Sequence, residues 1–210
     1  MGRYKPNVIF SSYLCDQEDS NTEGSKVQSL VDKLFDYQLV ADGDKIMDVG
    51  PGEHPGSTYR LTQECKKRNI NAKIISVDPN LDVPFSDRDN VVFERAEYRD
   101  VLLEKLPEKE DCSLGMQLMK DSIALGAEAV VASFCKAHSM DVKEYSDLYD
   151  LLEENGYHVH EWGNSQNMYV VAERIEERRQ EEPIQKSLEQ EFAERTKKYN
   201  LHRWEHEQKK

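Results

Sequence analysis

Apolar residues recur along this chain with two different periods, and the alternation between them predicts an α/β fold. Residues 1–44 carry a strand over Asn7 to Tyr13, a polar stretch over Asp16 to Ser25, and a helical face made by Val27, Leu30, Val31, Leu34 and Phe35. This reads as a lead-in strand and helix packed on a sheet. From Lys45 the texture tightens: Ile46 to Val49 is a strand, Gly50 to Gly56 a loop, Ser57 to Arg68 a helix, and Ala72 to Val77 a strand ending at Asp78. Strand, glycine loop, helix and strand form a βαβ crossover, which implies a parallel pair.

The pattern continues with a strand at Val91 to Phe93 and helices over Tyr98 to Leu106 and Leu114 to Leu125, the latter stopped by Gly126. Ala129 to Phe134 is a continuous apolar run and reads as a buried strand, and Val142 to Glu154 is a helix closed by Asn155-Gly156. Tyr157 to Trp162 and Met168 to Ala172 flank the turn residues Gly163 to Ser165 and predict an antiparallel pair at a sheet edge. One domain over 45–174 follows. Residues 175–210 are rich in Glu, Arg, Gln and Lys, break at Pro183, and place Ile184, Leu188 and Phe192 at helical spacing before Tyr199 and Trp204. This is a charged amphipathic helical tail whose stripe covers either the parent domain or a partner, so 184–204 is the expected surface for a homo-oligomer or a protein partner.

Composition narrows the function classes. The length of 210 residues fits one domain with an appendage, and the net charge of −13 disfavours broad adhesion to nucleic acid or to anionic membrane. Cys15, Cys65, Cys112 and Cys135 form no CxxC pair, so neither a zinc knuckle nor a redox dithiol is written here, and no metal is expected. The apolar patch Val8 to Phe10 is too brief for a signal segment, and no run nears the ~18 apolar residues of a membrane span. A soluble cytoplasmic protein with no membrane partner is expected.

Candidate chemistry concentrates in Asp48-Val-Gly-Pro-Gly-Glu-His-Pro-Gly-Ser57, where three glycines follow a strand and open a helix. Glycine admits positive φ and close backbone approach, and a helix N-terminus offers unpaired N–H groups. The G-x-G-x-x-x-G spacing departs from the dinucleotide fingerprint. Two acids add to it: Asp48, two places before the first glycine, and Asp78, at the end of the next strand, where a carboxylate suits the hydroxyls of a ribose.

Together these residues resemble class I S-adenosylmethionine-dependent methyltransferases, whose first strand reads acidic-x-G-x-G. Residues Gly126 to Phe134, Leu151 to Gly156, Tyr157 to Glu161 and Met168 to Ala172 are similar to the late strand, last helix and terminal antiparallel pair of that fold. The resemblance implies a Rossmann-like methyltransferase sheet, mostly parallel, and S-adenosyl-L-methionine as cofactor. Asp48 would organise the loop and reach the methionine amino group, and Gly50, Pro51 and Gly52 would line the amino-acid end. Gly56 and Ser57 would complete the loop, Asp78 would bind ribose, and Glu97 would lie near adenine. The family's usual strand between the third-strand helix and the next helix has no counterpart in the polar stretch Lys105 to Ser113.

A narrower likeness is to RNA ribose 2'-O-methyltransferases of the nidovirus cap type, carried by Ile123 to Val131, Asp147-Leu-Tyr149 and Ser165 to Val171. Of their Lys-Asp-Lys-Glu tetrad, Lys26 matches the first lysine. The second lysine position holds Ala132, with Lys136 four residues later; the glutamate position holds Asn167, and Asp111 is the nearest stand-in for the acid. Lys26 and Lys136 are thus the catalytic candidates, with a small molecule or RNA as acceptor. The rivals are a catalytically inactive methyltransferase-fold binding protein and an NAD-dependent oxidoreductase, against which Asp48 and the terminal strand pair argue. His202-Arg-Trp-Glu-His206 matches H-x-x-E-H in form but has no third ligand. Cys135 with His138, the loop residue His54, and the strand pair His158 and His160 read more simply as structural or surface residues.

Overall fold

The computed structural model describes residues 3–12, 20–82, 90–134, 140–164 and 167–175, with side chains in the first helix from residue 28 onward. Seven strands form one sheet in the order β4-β3-β2-β1-β5-β7-β6. In chain order they are β1 (Val8–Ser12), β2 (Lys45–Val49), β3 (Lys73–Val77), β4 (Val91–Glu94), β5 (Ala129–Phe134), β6 (Tyr157–Asn164) and β7 (Asn167–Arg174). The first five are mutually parallel, and β7 runs antiparallel to both β5 and β6. The expected mostly parallel α/β sheet with an antiparallel pair at one edge is therefore present.

The N-terminal strand is not peripheral. β1 lies between β2 and β5, with Phe10 in register with Asp48 on one side and Val131 on the other. Residues 1–44 and 45–174 consequently share one sheet, and all five residues of β1 are buried. Parallel strands covered on both faces need apolar side chains on both. β1 meets that need by sending Ile9 to one core and Val8 and Phe10 to the other.

Helices cover the two faces. α1 (Ser20–Asp36) and α2 (Gly56–Arg68) bury Leu30, Leu34 and Leu61 against Phe10, Ile46 and Ile74. α4 (Leu114–Leu125) and α5 (Val142–Glu154) bury Met119, Leu148 and Leu152 against Ile9, Met47 and Ile75. Gly126 caps α4 at φ 67°, its N–H on Ile123 O at 2.9 Å, and a Cβ there would meet Arg174 Nη1 at 2.8 Å. The left-handed turn is what favours glycine here, since the Arg174 side chain could move aside.

One expected element is corrected. The helix anticipated over Tyr98 to Leu106 ends after a single turn, α3 (Tyr98–Val101). The N-terminal segment takes over its hydrogen bonding: Val101 O accepts from the N–H groups of Arg3 and Tyr4 at 2.8 and 3.0 Å, and Leu102 turns extended to bridge Tyr4. A carbonyl engaged this way cannot propagate the helix.

α1 is also tied to the β6–β7 hairpin. Glu161 accepts from Tyr37 Oη and Tyr169 Oη, each at 2.9 Å, and pairs with Lys33. Burial pushes the Glu161 carboxyl upward, but the hydrogen bonds from Lys33, Tyr169 and Tyr37 outweigh it and hold the group below the usual range. A depressed acid contributes stability above its unfolded pKa and loses it as pH falls through the folded value. Glu161→Gln is expected to cost about 1–2 kcal/mol in urea melts at pH 7, with the gap narrowing in acid. A pH-independent gap would mean that the charge of Glu161 contributes nothing.

Residues beyond Ile175, including Ile184 to Trp204 and the His202 to His206 motif, lie outside the described residues, as do Cys135, Lys136 and His138. Among the described residues no helix is long and apolar enough to cross a membrane.

Candidate functional site

In open parallel sheets, ligands bind beyond the carboxyl ends of the strands, where neighbouring connections diverge. A cleft of about 260 Å³ lies there, just below the usual range for ligand pockets. Ser11 of β1, Val49 at the end of β2 with Gly50 after it, Asp78 after β3, and Phe134 of β5 form its base. The turn from β4 into α3, with Glu97 and Tyr98, forms one wall. Lys109, Glu110 and Cys112, with the first turn of α4, form the other.

The glycine loop is shaped by its backbone. Gly50 and Gly52 hold φ of 69° and 81°, a region in which a side chain is strained. Gly50 N–H bonds Val77 O at 3.0 Å, and Gly52 N–H bonds Asp78 Oδ2 at 3.0 Å, so the loop closes onto the end of β3. Asp78 Oδ1 accepts from Asn80 N–H at 2.7 Å. An ionised carboxylate has about four acceptor sites, so two remain on Asp78, which lines the cleft.

Asp48 has another setting. It is fully buried, and its Oδ2 accepts from Ser57 Oγ at 2.7 Å and Thr58 Oγ1 at 2.6 Å. Thr58 Oγ1 also lies 2.8 Å from Ser76 Oγ; with its one proton given to Asp48, it accepts from Ser76. This chain joins β2, α2 and β3 beneath the loop. Asp48 Oδ1 is buried without a partner among the described residues. Burial pushes the Asp48 carboxyl up to about 6, the hydrogen bonds from Thr58 and Ser57 oppose the rise, and the nearby Asp78 charge adds to it.

Of the residues marked out by sequence, Gly50, Asp78 and Glu97 line the cleft. Glu97 is exposed at the position preceding α3. Pro51, Gly52 and Gly56 shape the loop and the start of α2 without lining the cleft, and Ser57 turns inward to Asp48. The side chain of Lys26, on α1, lies outside the described residues, as Lys136 does entirely. Ala132 is fully buried in the core, Asn167 begins β7, and Asp111 is exposed beside the cleft wall. His160 lies 3.3 Å from Glu173 and stacks on Tyr37, away from the cleft. Among the described residues no cluster of His, Cys, Asp or Glu could hold a metal ion.

Ser11, Thr58, Tyr98, Cys112, Gln117 and Asp121 contribute to the site or its support without having been marked out. Thr58, next to Ser57 at a helix start, carried a local signal, as did Asp121, one helical turn after Gln117 in a mostly apolar helix. Ser11 carried none, because only the pairing of β1 brings it to the cleft. No family model, no curated protein and no solved structure matches this chain, so its site is read from its own geometry.

Proposed function

We propose that this cleft binds S-adenosylmethionine and that the chain is a methyltransferase with a Rossmann-like sheet. The observation that carries the reading is the charge of the cleft at the carboxyl ends of the strands. Among the described residues, Asp78, Glu97 and Glu110 line it against one cation, Lys109. Such a lining favours a sulfonium nucleoside with an ammonium group and opposes the pyrophosphate of NAD. The free acceptor sites of Asp78 and the close backbone approach allowed by Gly50 fit the ribose and the amino-acid end of that cofactor. The strand missing from 105–113 has a substitute in β1, which comes from the N-terminus and lies between β2 and β5.

S-adenosylmethionine supplies a methyl group already activated on sulfur, so the protein's task is to bind, orient and exclude water. Asp78 holds the glycine loop and accepts from the cofactor, Asp48 fixes the loop to α2 from below, and Ser11 and Phe134 border the deep end of the cleft. When bound, the cofactor would supply its methyl carbon to an acceptor lone pair, with the electron pair of the carbon–sulfur bond leaving on sulfur. Neither the ribose-methylating reading nor a role for Lys26 and Lys136 gains support from the described residues.

Calorimetry on the full chain is expected to give binding of S-adenosylmethionine and S-adenosylhomocysteine but not of NAD. Asp78→Ala should abolish that binding while circular dichroism stays native. Stabilisation by NAD alone, or full affinity in folded Asp78→Ala, would overturn the assignment.

A further inference from the structure

The walls of the cleft come from separate parts of the chain. Tyr98, at the start of α3, lies on one; Cys112, in the irregular segment 103–113, lies on another. Both are tied to one side chain that does not itself line the cleft. Asp121, on α4 and 1 % exposed, accepts through Oδ2 from Tyr98 Oη and from Arg99 Nε at 2.6 Å. Its Oδ1 accepts from Arg99 Nη2 at 2.7 Å and Gln117 Nε2 at 2.9 Å. These four bonds fill the roughly four acceptor sites of a carboxylate, leaving none for a ligand.

The connection continues to the wall that carries Cys112. Gln117 Oε1 accepts from Glu110 N–H at 2.8 Å and lies 3.8 Å from Cys112 Sγ. Arg99 Nη2 donates a second bond to Pro107 O at 2.8 Å. We propose that Asp121 is the positioning residue of this cleft, setting the spacing between the Tyr98 and Cys112 walls and hence the width of the slot that receives the planar base of a nucleoside ligand. The base assignment rests on the S-adenosylmethionine reading; the positioning of the walls does not.

Removing the carboxylate leaves the Arg99, Gln117 and Tyr98 donors short of an acceptor at a buried point. They recover partners by moving toward water, which separates the walls they carry. Burial and the bond to Asp121 hold the Tyr98 phenol well above its usual range, so it stays a donor. Burial also raises the Cys112 thiol, which keeps its alkylation slow while the wall is closed and makes it a reporter of opening.

The test measures iodoacetamide labelling of Cys112 by peptide mass mapping in the full-length wild type, Asp121→Ala and Asp121→Asn, with Glu161→Gln as a remote destabilised comparator. Asp121→Ala is expected to label at least about tenfold faster, the factor for one buried hydrogen bond, and Glu161→Gln at the wild-type rate. If Asp121→Ala does not fold, the size-matched Asp121→Asn carries the same measurement. An unchanged rate in a folded Asp121 variant, or equal acceleration in Glu161→Gln, would overturn the positioning role. A second arm titrates S-adenosylhomocysteine, expected to bind folded Asp121→Asn about tenfold more weakly than wild type; equal affinity would overturn the slot-width role. A wild type that binds no adenosine ligand removes the base assignment together with the cofactor reading, while the labelling result still decides whether Asp121 holds the walls.

Discussion

Asp48→Asn is expected to make the protein more stable at pH 8 and, at the same time, to weaken its hold on S-adenosylmethionine. The wild-type carboxylate is fully buried, one of its oxygens has no partner among the described residues, and burial pushes its pKa up to about 6. An acid whose folded pKa exceeds its unfolded one loses stability as pH rises from the unfolded value through the folded one, and the loss is complete above both. The shift corresponds to on the order of 3 kcal/mol at pH 8. Asparagine can still accept from Ser57 and Thr58 through its carbonyl, and it mimics the protonated acid. The difference between variant and wild type should therefore be largest at pH 8, shrink between pH about 6 and 4, and vanish below. Paired urea melts across this range test the point, because other carboxylates titrate equally in both proteins. The ligand arm follows from charge: if the carboxylate serves a cationic cofactor, its removal costs affinity where it adds stability. A variant that is no more stable at pH 8 would mean that the orphaned oxygen is satisfied by water.

Ile9→Ala and Phe10→Ala are expected to destabilise the protein by about 2–5 and 3–5 kcal/mol, among the largest effects of single substitutions. Both side chains are almost fully buried, and they point from the central strand into opposite cores. Against a typical total of about 5–15 kcal/mol, either change removes a large share, and removal of residues 1–12 should leave no cooperative unfolding transition. Leu103→Ala, at a site 62 % exposed, should leave the urea midpoint within error. If Phe10→Ala behaved like Leu103→Ala, β1 would not be an integral strand of the sheet.

These expectations differ in how far sequence alone could have reached them. Asp48, Gly50 and Asp78 stood out because local chemistry marks them: the chain must turn with positive φ after β2, and an acid lies near the end of β2 and directly after β3. Ser57 was placed at the loop for the same reason, yet its hydroxyl points inward to Asp48, since a small polar side chain beside a buried carboxylate is drawn to satisfy it. The apolar run Ala129 to Phe134 marked a doubly covered strand correctly, and the residues around Asn155 and Gly156 marked the end of α5. The helix over Tyr98 to Leu106 was overdrawn because its periodicity is real, while the Arg3 and Tyr4 N–H groups that capture Val101 O come from about a hundred residues away.

Sequence by itself determined the alternation of strands and helices, the parallel crossover, the terminal antiparallel pair and the acid-flanked glycine loop. Each of these depends on residues close together in the chain, where sterics and periodicity act directly. Tertiary structure alone decided that β1 is the central strand, that Ser11 reaches the cleft, and that Asp121 joins its two walls. An apolar pentapeptide such as Val8 to Ser12 can pair at any open sheet edge or between any two strands, and only the burial available on both faces between β2 and β5 selects its place.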